Sequence, residues 1–494
     1  MVRYPSIAGA FVALVIGAGA MLATPASAAA KPCEQIKQAC TNAGFTAGSN
    51  KLGTGLLADC IQPIMQATAQ PGKASKPLPS IDPQLIAACS AADASFGAGK
   101  NAAVAASAQP APAAAPAAAP IADAAVATAP AKGDRPNIVF ILADDFSMNL
   151  VSPKIIAESM PNLKAMMDEG TSFAHYYVTD SLCCTSRSSI FTGKFPHDTG
   201  VFTNTPPLGG YSGFNAHGNV AETFAVALQK AGYKTAMLGK YLNGYKPADA
   251  KPAGWDEWDV AGDGYPEFSY ALNEDGKTVK YGDKSDPKNY LTDVISGLGQ
   301  NFIQKSAPAP FFIEIASFAP HAPYIPAPRH ENDFPGLVYD KSAPFGARPD
   351  ATAPDWLKAL PPLTPAAIAS IDKSFRMRVQ ADQGIDDMIG NVRALLKRLN
   401  LDKNTYIVFS SDNGYHMGEY SLRPGKMTSF DTDIHVPLVI VGPGIGGGRT
   451  LDDIAENIDL CPTFTDFAGT PPPPTAEGHS LAGLLHAAPN AMPV

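Results

Sequence analysis

From Pro136 onward the chain repeats one pattern: a short unbroken apolar run, then a longer stretch whose apolar residues recur at helical spacing. The runs are NIVFIL (137–142), YKTAMLGKY (233–241), APFFIEIASFAPH (309–321) and NTYIVFSSDNG (404–414). Unbroken apolarity of this length marks a strand buried on both faces, as in parallel sheets. Between the last two runs, RMRVQADQGIDDMIGNVRALLKRLN (376–400) places Val379, Ile385, Met388, Ile389, Val392, Leu395, Leu396 and Leu399 along one helical face. Strands alternating with helices predict an α/β fold, a layered domain with a mainly parallel central sheet flanked by helices. No internal repeat is present.

The texture differs ahead of Pro136. An apolar run from about Ile7 to Ala23 follows Arg3 and precedes Ala26-Ser27-Ala28, which predicts a secretory signal peptide over 1–28. The mature protein is then expected to be secreted or periplasmic, with no membrane attachment after cleavage. Cys33, Cys40, Cys60 and Cys89 fall within 31–101, where CEQIKQACTNAGF and GLLADCIQPIMQ carry apolar residues at helical spacing. This predicts a small helical module stapled by two disulfides, with three pairings open. No C-x-x-C spacing or partnering histidine favours a metal there. Residues 102–132 are almost entirely Ala and Pro, a semi-rigid extended tether. The last unit is 133–494.

Composition adds little to this division. The chain is 45% hydrophobic and 17% charged, as in globular proteins. Its net charge of −9 and its lack of basic runs argue against a nucleic-acid partner, which needs clustered Lys and Arg.

The polar residues that end the apolar runs carry the chemistry. They are Asp144-Asp145, Lys240, His321 and Asp412-Asn413. Ligands bind at the carboxyl ends of strands in open α/β sheets, so four such ends are expected to converge on one pocket. Asp144, Asp145, Asp412 and Asn413 are oxygen donors, which suit a hard cation, calcium or magnesium. A fifth feature is SLCCTSRSSIFTGKFPH (181–197), read as a polar helix start that ends near Thr192-Gly193-Lys194. Vicinal cysteines rarely bond each other. A helix N-terminus with Arg187 one turn along suits a tetrahedral oxyanion, and Lys240, Lys426 and His321 could complete its cradle. Hydrolysis or transfer of a sulfate or phosphate group follows, with the nucleophile at Cys183 or a neighbouring hydroxyl.

Cys183-Cys184-Thr185-Ser186-Arg187 followed by SSIFTGKFPH resembles the sulfatase signature, Cys-x-Pro-x-Arg with a downstream Thr-Gly-Arg/Lys. NIVFILADD, GYKTAMLGKYLNGY, APHAPY, SDNGYHMGEY, RPGKMTSFDTDIHVPLVIVGPGI and NIDLCPTFTDFAG agree in order and spacing over about Pro136–Leu485. The forms LCC…SR, GKYLNGY and GYHMGEY look most like N-acetylglucosamine-6-sulfatases and related carbohydrate sulfatases. The resemblance implies an alkaline-phosphatase-like catalytic domain over 133–494 that hydrolyses sulfate esters of carbohydrates or aryl alcohols. It implies that a maturation enzyme converts Cys183 to Cα-formylglycine. One calcium ion would be held by Asp144, Asp145, residue 183, Asp412 and Asn413. Arg187, Lys240 and Lys426 would hold the sulfate, and His321 would protonate the leaving alcohol. Cys184 and Cys461 would pack. Phosphate or phosphonate monoester hydrolysis on the same fold, or a truncated inactive binding protein, are the alternatives.

Three positions depart from the family pattern. Thr185 stands where proline is usual, which bears on conversion of Cys183. Leu242 stands where many arylsulfatases place a histidine, a role left to Asn243 or His416. After EGHSLAGLLHAAPNAMPV the usual small C-terminal subdomain is expected to be short or absent, leaving apolar surface exposed.

Overall fold

A computed structural model describes residues 31–46, 54–65, 76, 79, 89, 135–342 and 344–487. The expected signal peptide and Ala/Pro tether lie outside these residues. The chain divides into two compact units, 1–120 and 121–494.

In the first unit, helix Pro32–Asn42 and the helical segments Leu56–Ile61 and Gln62–Met65 surround Cys40, Phe45, Cys60 and Ile61. The disulfides are Cys33–Cys89 and Cys40–Cys60, one of the three pairings left open by the sequence. So small a core gains most from such cross-links.

The second unit is built on ten strands. They are β1 (Asn137–Ala143), β2 (Thr171–Tyr177), β3 (Lys234–Lys240), β4 (Glu257–Ala261), β5 (Ala271–Glu274), β6 (Lys277–Lys280), β7 (Phe311–Ala316), β8 (Thr405–Ser411), β9 (Leu438–Val441) and β10 (Arg449–Glu456). One sheet holds them all in the order β10-β2-β9-β8-β1-β7-β3-β4-β5-β6. The four apolar runs are β8, β1, β7 and β3, consecutive neighbours running parallel at its centre. Their registers end level: Ala143 pairs Ser411, Leu142 pairs Ala316, and Gly239 pairs Ala316. Four carboxyl ends therefore open on one place.

Side-chain alternation sends these residues to two cores. Val139, Ile141, Ile313 and Ile315 meet the buried stripe of the long helix Pro365–Arg398. Seven of its eight expected face positions are buried, and Leu399 is partly so. Ile138, Phe140, Leu142 and Phe312 face the opposite layer, where Phe464 packs against Phe140, Phe224 and Phe312 at centroid distances of 5.1, 5.3 and 5.3 Å. That second layer carries helix Cys183–Thr192.

Candidate active site

The helix that begins at Cys183 has no apolar stripe, and all ten of its residues are buried. Hydroxyl-rich helices lose backbone partners to their own side chains unless each hydroxyl is placed. Here Ser188 Oγ donates to Cys184 O at 2.7 Å and Thr192 Oγ1 to Ser188 O at 2.8 Å. Asn204 Oδ1 accepts from the free Cys184 N at 2.9 Å, and Asn457 Nδ2 donates to Ser186 Oγ at 2.8 Å. Gly193 ends the helix at φ 71°, and a Cβ there would lie 3.1 Å from Cys461 Cβ. A side chain at 193 would therefore strain the backbone and crowd the helix floor. The helix starts two residues earlier than its hydroxyl run suggests, so Cys183 is its first residue.

Cys183 has no accessible surface. Lys426 Nζ lies 2.6 Å from its sulfur and Asp144 Oδ1 3.4 Å. Lys240 pairs with Asp144, and Lys426 with Asp145. Arg187 is fully buried; its Nε donates to Asp412 Oδ2 at 2.8 Å and its Nη1 to Lys240 O at 2.8 Å. Asn413 Nδ2 donates to Asp145 Oδ1 at 2.7 Å. His321 Nε2 lies 3.6 Å from Asp145 Oδ2, while its Nδ1 is 2.7 Å from Ala322 O and its ring rests on Tyr265 at 4.4 Å. Each residue singled out at the strand ends, on the signature helix and in RPGKMTSF therefore meets in one cluster, buried except at His321 and Lys426, which are partly exposed.

Three carboxylates here face three cationic side chains, Arg187, Lys240 and Lys426. Burial and the nearby Asp412 push Asp144 up, against Lys240. Burial works on Asp145 in the same direction, yet Lys426 and His321 bring it below its ordinary value. Burial likewise opposes ionisation of Asp412, but Arg187, Lys240 and Lys426 hold it well below the usual carboxylate range. Burial and Asp144 push the Cys183 thiol up to about 12. The ligand atoms of Asp144, Asp145, Cys183 and His321 lie within 4.8 Å of one another, a spacing one cation can bridge.

His416 is buried, with Nδ1 3.0 Å from Asp433 Oδ1, and Asp433 in turn accepts from Thr428 N at 3.0 Å. It braces the loop that carries Lys426. Asn243 Nδ2 donates to Tyr265 Oη at 3.0 Å, under the ring that supports His321. Leu242, Cys184 and Cys461 are buried in the aromatic core. Sequence reasoning missed Arg378. Its Nη2 donates to Asp145 O at 2.6 Å, and its guanidinium lies 4.5 Å from the Tyr415 ring centre. It thereby steadies Asp145, whose φ of 65° is rare for a residue other than glycine. Arg378 and Asp382, charges one turn apart on the face that carries Ile385 and Ile389, were the available signal.

The sulfatase family model matches residues 136–470. This chain belongs to the sulfatase family. The N-acetylglucosamine-6-sulfatases of Capra hircus and Homo sapiens are 38% and 37% identical to it, over 69% and 72% of this chain and 61% and 65% of their own. The chain spans 49% to 65% of the length of the curated relatives it matches at 35% to 38% identity. The solved structure of BT4656 in complex with its substrate, D-glucosamine-2-N,6-O-disulfate, aligns with a TM-score of 0.59 at 25% identity, over 71% of this chain and 80% of that one. A phosphonate monoester hydrolase from Silicibacter pomeroyi shares the fold at 22% identity, with a TM-score of 0.55 over 72% of this chain and 78% of that one.

Proposed function

We propose that this protein hydrolyses sulfate esters of carbohydrates, with aryl sulfates as simpler substrates, using Cys183 converted to formylglycine and one calcium ion. The observation that supports this most is the setting of Cys183. It is buried at a helix start, with two ammonium groups, a guanidinium and three carboxylates around it. As a thiol it would be inert, since a group pushed up to about 12 supplies almost no thiolate at neutral pH. Converted and hydrated, residue 183 would offer one hydroxyl to attack sulfur and a second whose ionisation expels sulfate.

Asp144, Asp145, Asp412 and Asn413 fit calcium, because they are hard oxygen donors and the ligand atoms of Asp144, Asp145 and residue 183 already lie within 4.8 Å of one another. A cation among them would act as a Lewis acid toward residue 183 and a sulfate oxygen. The chain's own groups do the rest. Arg187 is fastened to Asp412 and Lys240 O, so it acts as a fixed positive charge behind residue 183. Lys240 and Lys426 have flexible stems that can turn their ammonium groups to non-bridging sulfate oxygens. The hydrogen bond from Nδ1 to Ala322 O leaves Nε2 of His321 facing the site. Protonated there, it gives its proton to the alcohol oxygen as the S–O bond breaks.

Two disulfides and relatives named extracellular sulfatases support export, with 1–28 as signal, 31–101 as a separate module and 102–132 as its tether. Because the fold is shared with a phosphonate monoester hydrolase, the test has two parts. Mass spectrometry of the Cys183 peptide, from a host with the maturation enzyme, should find the aldehyde or its hydrate. Turnover of sulfate, phosphate and phosphonate monoesters should favour sulfate. An unmodified thiol, or a preference for phosphonate, would overturn the reading.

A further inference from the structure

A cavity of about 300 Å³ adjoins the segments that carry Cys183 and Lys426, lined by Thr179, Asp180, Leu182, Phe202, Met427 and Thr428 among others. Leu182 adjoins Cys183 and Met427 adjoins Lys426, so the cavity is walled by the two segments that bring those side chains together. Its volume is at the lower end of small-molecule sites, about right for one sugar ring.

Its lining differs from the catalytic cluster. Among the described residues, no lysine, arginine or histidine lines it. Asp180 is half-buried, and no hydrogen bond or ion pair among the described residues reaches its carboxylate. Burial with no cation beside it pushes that carboxyl up to about 6. Thr179 Oγ1 is buried with no hydrogen-bond partner among the described residues. Two apolar side chains stand open at the rim, Phe202 at 46% exposure and Met427 at 70%. Met427 is held at φ 76°, a backbone conformation that an unbranched apolar residue adopts only under constraint from its surroundings. An aromatic face beside an unpartnered carboxylate suits a sugar ring, whose C–H face packs while its hydroxyls donate.

We propose that this cavity is a saccharide subsite for the unit next to the sulfated sugar, and that Asp180 selects an uncharged neighbour over a uronate or N-sulfated one. The inference rests on the sulfate-ester reading. An anionic neighbour would bring a second negative charge against Asp180 with no cation on the wall to offset it, whereas hydroxyl donors find an acceptor.

The test compares kcat/KM for a 6-O-sulfated N-acetylglucosamine linked to galactose, the same sugar linked to a uronate, and 4-nitrophenyl sulfate. Wild type should prefer the galactose-linked substrate over the uronate one. Asp180→Asn should lower that preference roughly ten- to a hundredfold, mainly through KM, because hydrogen bonds to charged groups are worth that much. Phe202→Ala should weaken the galactose-linked substrate relative to the aryl sulfate, and it serves as a second variant if Asp180→Asn fails to fold. A wild-type preference for the uronate substrate would overturn the proposal, as would a preference ratio that moves less than about twofold. If wild type turns over none of the three, the sulfate-ester reading has failed. Calorimetric binding of the galactose-linked substrate then decides the subsite alone, and equal affinities for wild type and Asp180→Asn would overturn it.

Discussion

Replacing Glu314 with glutamine should change how stability depends on pH. Glu314 lies in the middle of β7, between Phe140 and Met237 on the neighbouring strands, with no accessible surface. Neither carboxylate oxygen has a hydrogen-bond partner among the described residues. Burial pushes its carboxyl from an ordinary 4.5 to about 8, opposed only by Arg187. Below 4.5 the folded and unfolded chains both carry this proton, so the fold bears no penalty from it. Between 4.5 and about 8 the folded chain alone keeps the proton, and stability falls by about 1.4 kcal/mol per pH unit. The full loss, 8 minus 4.5 or 3.5 units, is about 5 kcal/mol and is complete above the folded value. Between about pH 6 and about pH 8 the share is about 2 kcal/mol, because the last unit is only half titrated. Glutamine keeps the shape and loses the proton. Urea unfolding, followed by tryptophan fluorescence at both pH values, gives the difference between wild type and Glu314→Gln. Every other titrating group cancels in that difference. The variant should gain about 2 kcal/mol relative to wild type over this range. Parallel curves would refute the reasoning, because they would mean that Glu314 is hydrated or paired in the folded state.

Thr185 is the third residue of its helix, where the backbone N–H needs no helical acceptor, and its Oγ1 is buried without a partner. Thr185→Pro should therefore raise stability by about 0.4–1 kcal/mol and increase the aldehyde fraction at residue 183; a lower melting temperature would count against it. A calcium chelator should abolish turnover reversibly while the fold survives, since Arg187, Lys240 and Lys426 still balance three carboxylates; activity that persists in the chelator would reject the cation. Arg378→Met removes the donor to Asp145 O and leaves buried Asp382 without its nearby cation. It should cost about 2–4 kcal/mol and weaken calcium binding measured by calorimetry; unchanged affinity would show that Asp145 needs no such support.

The centre of the sheet was legible because β1, β3, β7 and β8 are buried on both faces, and that burial leaves an unbroken apolar run. Their polar ends followed from parallel topology alone. The outer strands were not legible in this way. β10, with exposed and half-buried residues alternating through RTLDDI, and β6, with KTVK, carry too little apolar pattern to separate from loop. Arg378 was visible, with Asp382, as a charge among apolar face positions, but its target lies 233 residues away and depends on helix packing. Glu314 was visible inside its run, yet its environment depends on which layer covers that face. His416 shows how proximity in sequence misleads: it stands shortly after Asn413 in the chain, yet its ring turns to Asp433.

The complete burial of Cys183 fixes an order of events. In the folded chain the segment it begins is a buried helix pinned through Asn204 and Asn457, with its sulfur against Lys426 and Asp144. A maturing enzyme that must take hold of that segment cannot do so while it is a buried helix, so the proposed conversion would belong to the nascent or still-unfolded chain. Folding and oxidation then compete for each molecule once. Under that proposal a chain that closed first would keep its thiol, and the active fraction of a preparation would record which process was faster during synthesis.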